Sequence, residues 1–321
     1  MTRVQFIHSR LTGRGLVRIR EVLTTASLLV LISTVAVGQE TVDPAVAEPY
    51  NAGLNAANLA DFKTAAEKFE AAIAVAPDFV DAHYNLGLVY QNLADYGKAE
   101  ACFQKTLALD PGNKTAPRLL AEALSRQGKF ESAIPAYEKA IAVDSTRVQL
   151  YYYMADAVGK AYPADSDKIV AAYSKALEKG PKEPGAYNAA VAIGSTCNRA
   201  KNYQGALAGY RKAAAIKSDS PTPHYNCAIV LKKMKNHNGA IKSLEKAISL
   251  KNPYGQAEFV LAGIYYDLKN DEKALEHFEK AAADPSFKKR AKAEESAASI
   301  RDYLEKKRLR DEQMEAYGGD K

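Results

Sequence analysis

Tryptophan is absent from this 321-residue chain, cysteine occurs three times and histidine five times. Those scarcities narrow the chemistry before any pattern is read. No two histidines stand at i, i+3 or i, i+4, and neither Cys-x-x-Cys nor His-Glu-x-x-His occurs, so no local metal-ligand set can be assembled. A Gly-x-x-x-x-Gly-Lys phosphate loop and a nucleophile elbow are missing as well. With 19 Gly and 13 Pro, collagenous and low-complexity readings fail. No catalytic, cofactor-binding or metal-binding residues are expected, no cofactor is implied, and the chain reads as a non-enzyme.

Positive charge is also scarcer than the net value of +6 suggests. Arg3, Arg10, Arg14, Arg18 and Arg20 against Glu21 give residues 1–38 a net +4, leaving +2 for the remainder. A nucleic-acid footprint belongs on the folded part, so no nucleic-acid partner is expected. The basic start precedes Val22–Gly38, an apolar run ending in Ala36-Val37-Gly38. Basic, apolar and small-residue regions in that order read as a secretory signal peptide over 1–38, with an uncleaved signal anchor as the rival. Both place the later residues outside the cytoplasm, in a periplasmic, envelope or secreted location, with no membrane contact beyond that anchor.

What the chain does have is a period. After a linker at 39–45, seven units cover 46–79, 80–113, 114–149, 150–186, 187–220, 221–254 and 255–285. Numbering slots from each start, slot 8 holds Gly53, Gly87, Ala121, Gly194, Ala228 and Ala262. Slot 20 holds Ala65, Ala99, Ala133, Ala206, Ala240 and Ala274. Slot 24 holds Phe69, Phe103, Tyr137, Tyr210, Leu244 and Phe278. Slots 4, 7, 8 and 11 make one stripe of a first helix and 20, 24, 27 and 28 one stripe of a second. Small residues let the helices approach while the ring at slot 24 fills the space beside them. Pro77, Pro111, Pro181 and Pro285 stop second helices. The fold class follows: all-α, a solenoid of about seven helix-turn-helix units, each burying its apolar face against its neighbours.

The fourth unit fits worst. Ala155 suits slot 8 counted from Val148, whereas Tyr173 and Ala176 require a start near 150. Two extra residues are expected in the Gly159–Asp167 turn and three more near Pro181–Gly185. Residues 286–311 read as a polar-faced capping helix presenting Ala291, Ala298, Ile300 and Leu304, with a flexible tail at 312–321. Cys197 and Cys227 fall on first helices of adjacent units, where buried free thiols are the leading reading and a disulfide the alternative.

These units resemble the tetratricopeptide repeat family; Leu86, Gly87, Tyr90, Tyr96, Ala99, Phe103 and Pro111 show the pattern best. The resemblance implies a right-handed superhelix whose first helices line an inner groove, with slots 2, 5, 6, 9, 12 and 13 facing it. There the chain carries Tyr50 and Asn51, Tyr84 and Asn85, Arg118, Tyr152 and Tyr153, Tyr225 and Asn226, and Phe259. Asn92 and Tyr266 fall further along. Rings offer contact area at low entropy cost and amides can pair with a peptide backbone, although the same rings also suit packing between repeats. The family's two-carboxylate clamp, by resemblance, needs Lys and Arg around a central Asn. Asn85 has Tyr50, Leu54, Thr115 and Leu119 in those places, and Asn226 has Val191, Ser195, Gln256 and Val260. The expected function is therefore an exported scaffold holding a partner protein or peptide on its first-helix face. The alternatives are an architectural subunit of an envelope complex, or the binding subunit of an exported enzyme complex. The sequence sets no oligomeric state.

Overall fold

The computed structural model describes residues 43–318, so the signal segment at 1–38 lies outside the described residues. Fifteen α-helices make up the regular structure there. Seven pairs come first: α1 (Pro44–Asn58) with α2 (Phe62–Val75), α3 (Val80–Asn92) with α4 (Tyr96–Leu109), and α5 (Ala116–Arg126) with α6 (Phe130–Val143). Then α7 (Gln149–Ala161) pairs with α8 (Ser166–Lys179), and α9 (Ala186–Arg199) with α10 (Tyr203–Ile216). The last pairs are α11 (Pro221–Lys233) with α12 (His237–Leu250) and α13 (Gly255–Asp267) with α14 (Asp271–Ala283), before a lone α15 (Arg290–Gly318). The structure is an all-α helical-repeat solenoid. It divides into two compact units, one ending at Ala116 and the other beginning at Pro117.

Within each unit every helix packs mainly on the next in sequence, in runs from α1 to α4 and from α6 to α15; α5 joins α6 and α7 through the cluster of Ala121, Leu124, Ala133, Tyr137 and Leu150. The joint inside a pair is a small residue under a ring. A Cβ placed on Gly53 would lie 2.8 Å from the Phe69 ring, one on Gly87 2.6 Å from Phe103, and one on Gly194 2.6 Å from Tyr210. Phe69 and Phe103 are wholly buried, as are Ala65, Ala72 and Ala99. Burying such a ring stabilises by about 1.5–3 kcal/mol, available only if the opposing helix has no side chain in the way. First helices are buried on two stripes, one toward each neighbour, as Ala82, Leu86 and Val89 beside His83, Gly87 and Tyr90 show in α3.

The turns inside the pairs repeat as closely as the core does. Ala60, Ala94, Gly128, Lys201, Lys235 and Lys269, all at slot 15, adopt left-handed backbone. After five of these residues the next side chain caps the second helix: Asp61, Asp95, Asn202, Asn236 and Asn270 each accept a backbone N–H three residues on, at 2.9–3.2 Å. Asp165 caps α8 in the same way without a left-handed residue before it, and Lys129 after Gly128 makes no side-chain cap. Each cap is worth about 1 kcal/mol. Asp or Asn at slot 16 is the sequence signal of this cap.

In the fourth pair the first helix follows the Val148 register, with Tyr151, Met154, Ala155 and Val158 buried. Its two extra residues divide between one more residue of helix and one more of loop, since α7 runs to Ala161 and α8 starts at Ser166. At the far end the expected face of the last helix needs correction. Pro285–Lys289 form a turn, α15 begins at Arg290, and the buried residues are Ala293, Ala297 and Ile300 with Leu304 packed beside them. Ala291 and Ala298 face solvent, because positions two residues apart point to opposite sides of a helix. The helix also continues to Gly318, beyond the expected end at 311. Pairs such as Lys306–Asp302 at 2.7 Å and Arg308–Glu312 at 3.5 Å line its exposed surface.

Gly209 shows how tight the pairing is: a Cβ there would lie 2.5 Å from the backbone nitrogen of Gly194, on the facing helix. Gly87→Ala and Gly209→Ala are each expected to lower unfolding free energy by about 1–3 kcal/mol, the cost of overfilling a packed contact. Gly112→Ala, whose Cβ would meet nothing closer than Asp110 at 3.4 Å, should change it by less than about 0.5 kcal/mol. Chemical denaturation followed by circular dichroism measures all three, and equal midpoints would refute the close-packed joint.

Candidate interaction face of the first helices

Aromatic side chains recur at slot 5 for a reason that the coordinates make specific. The Tyr50 ring lies 5.7 Å from Phe69 in its own pair and 4.7 Å from Phe79 just before the next helix. Its hydroxyl accepts a hydrogen bond from Asn85 Nδ2 at 2.9 Å. Tyr84 meets Phe103 edge-on at 6.3 Å, and its hydroxyl accepts from Thr115 Oγ1 at 3.2 Å. In the second unit Tyr225 lies 5.7 Å from Tyr254, and Gln256 Nε2 donates to its hydroxyl at 2.9 Å. Phe259 sits between Phe278 at 5.4 Å and Phe287 at 5.5 Å. Each tyrosine thus packs with its ring and ties its hydroxyl to the following repeat.

That geometry sorts the expected groove residues. Asn85, 2% exposed, and Tyr152, 6% exposed, present no surface, which corrects their placement in a groove. Tyr152 donates its hydroxyl proton to the Gly180 carbonyl, and Asn85 keeps a buried Oδ1 without a partner. Tyr50, Tyr84, Tyr225, Asn226 and Phe259 are half-buried, so each shows one edge to solvent while holding the stack. Asn92 Nδ2 donates to the Leu88 carbonyl at 2.8 Å, and Arg118 pairs with Glu122 at 2.6 Å along its own helix. Asn51 is exposed, as are Tyr153 at 45% and Tyr266 at 50%. These two are the most exposed of the candidate rings, Tyr153 lying 6.4 Å from the Tyr137 ring and Tyr266 having Lys269 Nζ 5.8 Å from its centroid.

Two hollows stand out. In the second unit a cleft of about 430 Å³ brings together Tyr225 and Phe259 with Tyr254, Phe287, Gln256 and Lys251, none of the last four picked from the sequence. Their signal was present: Phe79, Tyr254 and Phe287 all stand just ahead of a helix, the first two at slot 34. In the first unit a shallow, mainly apolar depression of about 530 Å³ lies among Ile73, Ala74, Leu86, Ala101 and Cys102. There the Tyr90 hydroxyl donates to Glu70, and burial pushes the Cys102 thiol up to about 12. Cys102, Cys197 and Cys227 are all free and buried, so the disulfide alternative does not hold in this structure. His83 is buried with Nε2 2.8 Å from the Pro77 carbonyl. Among the described residues no three His, Cys, Asp or Glu side chains gather as a metal site would require, and no helix is long and apolar enough to cross a membrane.

Family comparison agrees with this geometry. Tetratricopeptide repeat profiles match residues 61–93, 80–113, 119–147, 170–221 and 228–286. The chain is a tetratricopeptide repeat protein. None of the curated proteins matches it. Among solved structures, the C-terminal part of a TPR repeat-containing protein from Cytophaga hutchinsonii is 17% identical with a TM-score of 0.61, over 76% of this chain and 98% of that one. A tetratricopeptide repeat protein from Parabacteroides merdae is 16% identical with a TM-score of 0.46, over 80% and 98%. YrrB, described as a TPR protein with an unusual peptide-binding site, is 19% identical with a TM-score of 0.47, over 60% and 96%. At these identities the likeness concerns the fold.

In this repeat protein burial raises the phenols of Tyr50 and Tyr225 at slot 5 above their ordinary range. Burial, reinforced by the nearby Asp81 carboxylate, pushes Tyr50 from 10.0 up to about 12, and the Asn85 hydrogen bond offsets this only in part. The folded chain therefore holds a proton that the unfolded chain releases near pH 10. The associated stability is complete below pH 10 and is lost as pH rises through 12. The denaturation midpoint is expected to fall between those values, and more gently in Tyr50→Phe. Parallel falls in the two proteins would show that Tyr50 is not linked to unfolding.

Proposed function

We propose that this protein is a non-enzymatic interaction scaffold that holds a segment of a partner protein or peptide on its first-helix face, after export from the cytoplasm. The observation that carries the reading is the cleft between α11 and α13, where four rings and an amide stand on a rigid stack. Helices held from both sides need little ordering on binding, which raises affinity for a given contact area. Aromatic walls with polar groups at the rim are also how interaction hot spots are built. The hydroxyl–carboxylate contact in the cleft, Ser286 Oγ to Asp284 Oδ1 at 2.7 Å, does not resemble a nucleophile and base. Bonds from the Ser286 hydroxyl and the Gly255 backbone hold the Asp284 carboxyl below its usual range, so it is a weak base. The export part of the proposal rests on the order of charge and apolarity across residues 1–38.

Two experiments test these parts separately. With p-benzoylphenylalanine replacing Tyr266 on α13, irradiation in the native host is expected to trap a discrete partner, and the same group replacing Glu245 on α12 is expected not to. Adducts from α12 alone would favour an architectural role through the second helices. For export, residues 1–45 fused to an enzyme active only with its disulfides formed should give an active fusion. A fusion without residues 1–38 should be inactive, and equal activity of both would end the export reading.

A further inference from the structure

The cleft of the second unit carries an imbalance of charge that names its occupant. Lys251, Lys288 and Lys289 stand at its rim. The three are exposed, and among the described residues no ion pair within 4 Å engages any of them. Lys251 Nζ lies over the Tyr254 ring at 4.7 Å, so its charge is held against the aromatic wall. The one carboxylate in the lining, Asp284, is 3% exposed and fully engaged. Its Oδ2 accepts the Gly255 N–H at 2.7 Å, and its Oδ1 accepts both the N–H and the hydroxyl of Ser286. Its single negative charge, felt by Lys251, leaves the cleft with three ammonium groups against one carboxylate.

Inside the rim the surface changes character. Rings of Tyr225, Tyr254, Phe259 and Phe287 form the walls. The Tyr225 hydroxyl accepts from Gln256, which leaves its own proton to donate outward. Aromatic walls, an outward O–H and an excess of ammonium groups over carboxylate complement a chain that alternates apolar and acidic side chains. Resting on the scaffold reading above, we infer that this cleft binds an acidic peptide segment, with an aromatic or leucine side chain among the rings and flanking carboxylates on the lysines. Lysine ammonium groups set charge preference, and the rings set the need for an apolar anchor.

The test uses the full chain and a fluorescein-labelled peptide of sequence EDLFEDLFED, against its amide counterpart QNLFQNLFQN, by fluorescence anisotropy. The acidic peptide is expected to bind at least about tenfold more tightly at 50 mM NaCl, with the gap shrinking by 500 mM as screening grows. Lys251→Gln, Lys288→Gln and Lys289→Gln combined should reduce acidic-peptide affinity to the level of the amide peptide while the melting curve stays in place. Equal binding of the two peptides, or undiminished binding by the triple variant, overturns the acidic preference and leaves the scaffold reading intact. Binding of neither peptide overturns the inference, and the Tyr266 crosslink still reports on the scaffold. Displacement of the peptide by a ten-residue oligothymidylate or by phosphatidylglycerol vesicles at matched charge also overturns it, by showing a general anion surface.

Discussion

The contact on which everything else rests is a ring lying over a residue with little or no side chain. Gly53 under Phe69, Gly87 under Phe103 and Gly194 under Tyr210 bring two helices to the distance at which neither can rotate without a clash. Dispersion contacts fall off steeply with separation, so such a joint is either closed or contributes little. Because the joint is made by side chains on the two helices, it survives a longer turn between them. The fourth pair absorbs two extra residues without losing buried Ala155, Ile169 or Ala176.

The turn between paired helices is set by different physics. A left-handed residue at slot 15 reverses the chain in three residues, and the Asp or Asn after it satisfies a backbone donor that the new helix leaves open. Five of the six left-handed residues at slot 15, namely Ala60, Ala94, Lys201, Lys235 and Lys269, are alanine or lysine rather than glycine. The cap and the packed joint therefore outweigh a backbone preference of about 1–2 kcal/mol. Local propensity is overruled where tertiary contacts converge.

Tyrosine at slot 5 links this packing to function. One edge of the ring closes the seam between repeats, its hydroxyl is fixed to the next helix, and the other edge faces solvent. A surface built this way is rigid because it is also part of the core. The cleft in the second unit arises where such a seam meets the turn before α15, which brings Phe287 and the lysines beside it against α13. The segment that ends the repeats thereby furnishes part of the lining of this cleft.

The period, the small and aromatic slots, the proline stops and the disturbed fourth unit were all legible in the amino-acid order. Each is a local requirement of helix geometry that recurs at a constant spacing, so a single chain states it several times over. The face of the last helix was misread because one unrepeated segment has no register to compare, and a shift of two residues reverses which side is buried. Side-chain accessibility was likewise not legible: Asn85 and Asn226 occupy the same slot, yet one is sealed under Tyr50 and the other is half-open. Lys251 and Tyr254 are neighbours in sequence, but they meet Phe287 only because successive helices stack. Order along the chain decides which residues can form a repeat; which of them reach solvent together is decided by contacts between repeats, whose distances no spacing in sequence encodes.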